Sequence, residues 1–135
     1  MLDKIFCVDD DPITLMLCKK VIERVEFAKE ILTAQNGEEA IQYFHDLAQN
    51  PNDASASYPK LTFLDLNMPV MNGWEFLEVY LQKGYQNLFP DAKFIVLSST
   101  IDPDDVNQAK KYPIVVDFLS KPITKEMLED LKTRF

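Results

Sequence analysis

The chain has 135 residues, 47% of them hydrophobic, and a formal net charge of −8. That length builds one domain able to bury about two thirds of its unfolded surface. The acidic balance argues against nonspecific nucleic-acid binding, which rests on cationic contacts to phosphate, and no apolar run approaches the ~20 residues of a membrane span.

The opening Met1-Leu2-Asp3-Lys4 leads into an apolar run and then acid, which is not the pattern of a signal peptide. Ile5 to Val8 reads as a first strand. Asp11 and Pro12 then supply an N-cap and a first helical position. Thr14, Leu17, Cys18, Val21 and Val25 recur at helical spacing and predict the buried stripe of the first helix. Glu30 to Ala34 is a short second strand, Asn36-Gly37 a turn, and Ala40, Phe44, Leu47 and Ala48 stripe a second helix. Asn50 to Pro59 is polar, holds two prolines and exceeds the usual 2–6 residues of a helix-to-strand connection, so it predicts an exposed loop.

A third strand runs into Asp65. Asn72 caps a helix carrying Trp74, Phe76, Leu77, Tyr80 and Leu81. Gly84 ends it, with an irregular segment to Pro90. Phe94 to Leu97 is a fourth strand, Pro103 to Lys111 a short and weakly apolar helix, and Ile114 to Leu119 a fifth strand. Thr124 caps a last helix with Met127, Leu128 and Leu131 inward. Alternating strands and helices predict an α/β fold: a flavodoxin-like, doubly wound, five-stranded parallel sheet of order 2-1-3-4-5 with helices on both faces.

Cys7 and Cys18 lack CxxC spacing and read as buried thiols rather than a redox or metal pair. Without a disulfide framework, a reducing cytoplasm is the simplest compartment. The single histidine, His45, reads as a helix-surface residue.

Four motifs stand where strands end: Asp9-Asp10-Asp11-Pro12, Asp65-Leu66-Asn67-Met68-Pro69, Ser98-Ser99 and Lys121-Pro122. In a parallel sheet those ends share one edge, and open α/β sheets bind ligands there, at the switch in strand order. Asp9, Asp10 and Asp65 would flank that switch. Clustered carboxylates resist ionising together, and a divalent cation with oxygen ligands relieves the repulsion.

On these residues the chain resembles the receiver domain of two-component response regulators, strand by strand over essentially its whole length. The resemblance implies that Asp65 is the phosphoacceptor. It further implies that Mg²⁺, with Mn²⁺ as a substitute, is held by Asp10, Asp65 and the backbone carbonyl of Asn67, with Asp9 acting through water. Ser98, Ser99 and Lys121 would bind the phosphoryl oxygens, and Ser98 and Phe118 would form the switch. The Lys121-Pro122 peptide bond would be cis. Gly73, eight residues past Asp65, fits the family's loop after the third strand. Asn67 and Thr100 occupy positions that tune phosphate lifetime in the family.

The implied function is two-component signal transduction, in which a sensor histidine kinase, a phosphotransfer protein or a small acyl phosphate phosphorylates Asp65. The resemblance makes this a signalling domain rather than an enzyme. Its output would run through the face between the fourth strand and the fifth predicted helix, by docking a target, pairing a second copy or relaying phosphate. Neither a nucleic-acid nor a membrane partner is expected. The predicted helix reaching Phe135 leads to the expectation of a receiver domain over residues 1–135 without an output domain.

Three other readings compete. A haloacid-dehalogenase-like aspartyl-phosphate phosphatase needs a second acid two residues past its nucleophile, where this chain has Asn67. A flavodoxin-like cofactor binder needs a phosphate loop after the first strand, where this chain has three carboxylates. A phosphorylation-independent pseudo-receiver would lack an acid or the lysine, and none is missing.

Overall fold

The computed structural model describes residues 2–49 and 58–135. Five parallel strands, β1 (Leu2–Val8), β2 (Ala28–Ala34), β3 (Leu61–Leu64), β4 (Lys93–Ser98) and β5 (Val115–Ser120), form one sheet. Their order is β2-β1-β3-β4-β5, as the alternating pattern predicts. Among the described residues six helices accompany them: α1 (Pro12–Arg24), α2 (Gly37–Gln49), α3 (Gly73–Gln82), α4 (Tyr85–Leu88), α5 (Pro103–Ala109) and α6 (Lys125–Lys132).

The central strands are apolar on both faces because both are covered, which explains why they read as continuous runs rather than alternating ones. Ile5, Cys7, Leu61, Phe63, Ile95 and Leu97 face one core with Leu15, Cys18 and Ile22 of α1 and Leu128 and Leu131 of α6. Phe6, Val8, Leu64 and Phe94 face the other, with Phe44 of α2, and Phe76, Leu77 and Tyr80 of α3. The second core is aromatic. The Phe44 ring lies 5.2 Å from that of Tyr80, 5.6 Å from Phe89 and 5.9 Å from Phe6, centre to centre.

Several expectations are corrected. β1 and β2 begin three and two residues earlier than their apolar runs suggest, because backbone pairing, as of Lys4 with Glu30, does not require apolar side chains. In α1 the buried residues are Leu15, Cys18 and Ile22, and Leu17 is exposed, so the stripe is rotated from the predicted one. The stretch to Pro90 is not wholly irregular. Gly84, at φ +75°, ends α3 in a conformation that suits glycine, and one further turn, α4, follows. α5 stops at Ala109. Of the Asn50–Pro59 loop, residues 50–57 lie outside the described residues. Tyr58 and Pro59 are buried rather than exposed, with Tyr58 packed on Phe89 at 5.1 Å.

Among the described residues no helix is long and apolar enough to cross a membrane.

Candidate phosphoacceptor site

The pairing registers level the strand ends. Val8 stands beside Leu64, Leu64 beside Val96, and Ser98 beside Ser120. The ladder continues one residue past two of those ends: Asp65 N donates to the Val8 carbonyl at 2.9 Å and Asp9 N to the Ala34 carbonyl at 3.0 Å. Both aspartates are thereby fixed at the backbone, and both are 5% exposed. Lys121 N donates to the Ser98 carbonyl at 2.8 Å, which ties the β5–α6 loop to the end of β4. The Lys121-Pro122 bond is cis.

Carboxylate oxygens of Asp9, Asp10 and Asp65 lie within 4.8 Å of one another. Lys121 Nζ reaches into this cluster, 2.5 Å from Asp9 Oδ2 and 3.3 Å from Asp65 Oδ1. Asp9 has its other oxygen engaged as well, accepting from Asp11 N at 2.9 Å. Asp10 is exposed. Asp11 turns away from the cluster and caps α1, accepting from Ile13 N and from the Thr14 hydroxyl.

Electrostatics follow from this placement. Burial, and then the charge of Asp9, push the Asp65 carboxyl above the ordinary aspartate range, against the pull of Lys121. Burial works against the Lys121 ammonium, but the hydrogen bond to Asp9 and the charges of Asp65 and Asp9 outweigh it and hold its pKa up. One ammonium facing three carboxylates leaves the cluster net negative. An all-oxygen donor set of that charge suits Mg²⁺.

Gly73 explains part of the loop after β3. A side-chain carbon there would lie 2.6 Å from the Asp65 carbonyl oxygen, so only glycine lets α3 start against the Asp65 backbone. Asn72 and Glu75 close a reciprocal capping box at that helix start.

The Ser98 side chain is buried at the end of β4, its Oγ accepting weakly from Thr100 N at 3.4 Å, whereas Ser99 and Thr100 are exposed. The Asn67 side chain is exposed too. Phe118 is partly buried. It borders a cavity of about 350 Å³ shared with Ile101, Val106, Ala109 and Val115, so it is not packed as a plain core aromatic. The Ser98 and Phe118 side chains thus stand on adjoining strands at the same edge half of the sheet, without a contact between them among the described interactions.

Two features escape the sequence reading. Val70 sits at φ +68°, a conformation no sequence pattern marks. Cys7 and Cys18 lie with their sulfurs 3.7 Å apart.

Residues 5–132 match the response regulator receiver domain family. The chain belongs to that family. It is similar to hybrid signal transduction histidine kinase C of Dictyostelium discoideum, 28% identical over 130 residues, which are 93% of this chain and 10% of that protein. It is also similar to a probable C4-dicarboxylate response regulator of Priestia megaterium, 26% identical over 125 residues, 93% of this chain and 48% of that protein. The chain therefore spans at most about half the length of these two relatives. Among solved structures, a two component response regulator from Cytophaga hutchinsonii superposes with a TM-score of 0.86 at 28% identity, covering 98% of this chain and 96% of that one. A Vibrio cholerae chemotaxis protein shares the fold with a TM-score of 0.71 at 24% identity, covering 99% and 98%. Receiver domains serve phosphoryl-transfer signalling and bind Mg²⁺ at an acidic pocket. The Asp9–Asp10–Asp65 group here has the donor chemistry such a pocket needs.

Proposed function

We propose that Asp65 accepts a phosphoryl group from a phosphohistidine kinase, a phosphotransfer protein or a small acyl phosphate. The observation that carries this reading is the convergence of buried Asp65 and Asp9 and half-buried Lys121 with Asp10 at one sheet edge. A carboxylate oxygen of Asp65 attacks phosphorus, a P–O bond forms, and the bond from phosphorus to the donor's imidazole nitrogen or acyl oxygen breaks. Phosphoryl transfer asks for positioning and charge neutralisation more than proton transfer. Lys121 already lies 3.3 Å from Asp65, and its compact, mobile ammonium can follow a phosphoryl oxygen. Mg²⁺, held by Asp10, Asp65 and the Asn67 carbonyl with Asp9 through water, would supply the remaining positive charge. The Ser98 hydroxyl, held now only by a long bond, is free to donate to another phosphoryl oxygen, with Ser99 beside it.

The donor approaches over α1, where Ile13, Met16 and Leu17 expose apolar side chains next to the acids. A partner that brings a histidine to Asp65 can bury these on contact. On the output side, movement of Ser98 toward the phosphate draws on the loop after β4, and the cavity beside Phe118 gives that ring room to change position. Such a two-state repacking is the form a phosphorylation switch takes. It would be read on the face of β4, α5, β5 and α6, by a target protein or a second copy.

Incubation with acetyl phosphate and Mg²⁺ tests the reading. One acid-stable, base-labile phosphoryl group is expected on the wild-type chain and none on Asp65→Asn. Full labelling of Asp65→Asn would overturn the assignment.

A further inference from the structure

The cysteines form a pair that the acidic site does not use. Cys7 points from β1 and Cys18 from the middle of α1 into one apolar core, and their sulfurs are 3.7 Å apart. Both are reduced and buried. Close approach of two thiols is unremarkable between neighbours in sequence, but these are eleven residues apart and on different elements. We propose that Cys7 and Cys18 are an oxidisable dithiol, which a peroxide converts into a reversible disulfide between β1 and α1.

Geometry and access both support this. A disulfide bond is about 2 Å long, so the sulfurs have less than about 2 Å to close. Side-chain rotation and a small inward shift of α1 supply that. The opposite face of α1, with Ile13, Met16 and Leu17, is exposed and does not hold the helix back. Cys18 also lines a cavity of about 310 Å³ with Thr14, Leu17, Leu97 and Ile123, wide enough for hydrogen peroxide to reach its sulfur. A void of about 10 Å³, the size of one water-sized probe, lies between the two cysteines and Asp9. Cys18 borders the open cavity and Cys7 does not, so Cys18 is the sulfur that meets the oxidant and Cys7 the resolving partner.

The chemistry balances in two steps. The Cys18 sulfur, as thiolate, attacks one peroxide oxygen. The O–O bond breaks, hydroxide leaves and takes a proton to become water, and Cys18 is a sulfenic acid. The Cys7 sulfur then attacks the Cys18 sulfur. The S–O bond breaks, and the hydroxyl departs with the Cys7 proton as a second water. Two thiols are oxidised by two electrons and one peroxide is reduced to two waters. The cross-link would hold the first half of α1 against the end of β1 that presents Asp9. The inference stands on the cysteines alone and is independent of the phosphoacceptor reading.

The test treats the folded chain with hydrogen peroxide, then alkylates remaining thiols in denaturant and measures intact mass. The expected product has lost two hydrogen atoms, takes up no alkyl group, and yields a Cys7–Cys18 linked peptide on proteolysis. Dithiothreitol restores both thiols. In Cys7→Ser, dimedone should instead trap a sulfenic acid at Cys18. Full alkylation of both cysteines after peroxide would overturn the proposal. So would oxygen addition to them without cross-linking, or covalent dimers in place of the internal bond. The wild-type arms decide the question even where a variant folds poorly.

Discussion

On the β1–β3 side of the sheet, α2 and α3 bury Ala40, Phe44, Phe76, Leu77 and Tyr80 to 0% exposure. At the other end, α5 buries only Ala109, and no residue of β5 is fully buried. The first region is held by interlocked aromatic rings. The second borders a cavity of about 350 Å³ beside Phe118 and, besides the β4–β5 ladder, is tied down by the Trp74–Tyr112 stack at 6.0 Å and the Arg134–Asp117 ion pair at 2.8 Å. The acidic cluster lies between them. Its carboxylates hang from β1 and β3, in the tightly packed region, while Ser98 and Lys121 come from β4 and the β5–α6 loop. On the proposed reading, a site so divided keeps its nucleophile fixed and places the groups that would answer to a phosphate in the more loosely packed part of the fold. Low local packing is what makes movement inexpensive.

The contrast is broken or upheld most sharply by paired truncations. Phe44→Ala removes a fully buried ring from the aromatic core and should cost about 3–5 kcal/mol. Val106→Ala removes half-buried methyl groups that already border a cavity, and should cost about 1 kcal/mol or less. Urea unfolding of both variants measures this. Equal losses would mean that α5 is held as firmly as α2, and the division would fail.

Much of this layout was legible before the structure. Five apolar runs, each followed by turn chemistry, carried the strand order. Asp11, Asn72 and Thr124 marked helix starts because an N-cap is a local device, satisfied within three residues. The four strand-end motifs fall together because parallel strands bring their carboxyl ends to one edge. Whatever depended on distance across the fold was not legible. Cys18 and Val25 belong to both possible stripes of α1, and choosing between Leu17 and Leu15 requires knowing where β1 lies. α4 is a single turn, too short to show a period. Nothing in the residues between Cys7 and Cys18 announces that their sulfurs meet, and the dipeptide Pro69-Val70 does not disclose a positive φ.

A smaller effect concerns the electrostatic tension in which Asp65 is held. Burial and Asp9 raise the Asp65 carboxyl above its ordinary value of 3.8. Between that value and the raised one, the folded chain keeps a proton that the unfolded chain has released. Stability without Mg²⁺ should therefore fall as pH rises through this window, with the full cost present above it. Asp65→Asn abolishes that decline. It should raise the melting temperature at neutral pH by the equivalent of roughly 1 kcal/mol, the scale of one screened charge pair, since Lys121 keeps its 2.5 Å contact with Asp9. Melting curves from acid to neutral pH, without metal, decide it. A parallel decline in Asp65→Asn would move the tension to another group.

The smallest expected effect concerns the packed region itself, where one residue is not relaxed. Val70 lies at φ +68° and is 72% exposed, five residues past Asp65. A β-branched residue in the left-handed region is a strained outlier, at a cost of about 1–2 kcal/mol. Its exposure means it gains little packing in return. The strain is imposed by the neighbours. Gly37 N donates to the Met71 carbonyl at 2.8 Å and Gly73 N to the Leu66 carbonyl at 3.0 Å, so the loop is pinned on both sides of Val70 and must turn there. Val70→Gly should relieve the strain, offset by roughly 0.5–1 kcal/mol of added unfolded-state entropy. The net gain should be about 0.5–1 kcal/mol, or a rise of a few degrees in melting temperature. Val116→Gly in β5, where the backbone is extended and the valine is 40% exposed, carries the entropy cost without the relief and should melt lower. If both glycine variants lose stability alike, the Val70 backbone is not under strain, and the tightly packed half is relaxed up to the edge of the site.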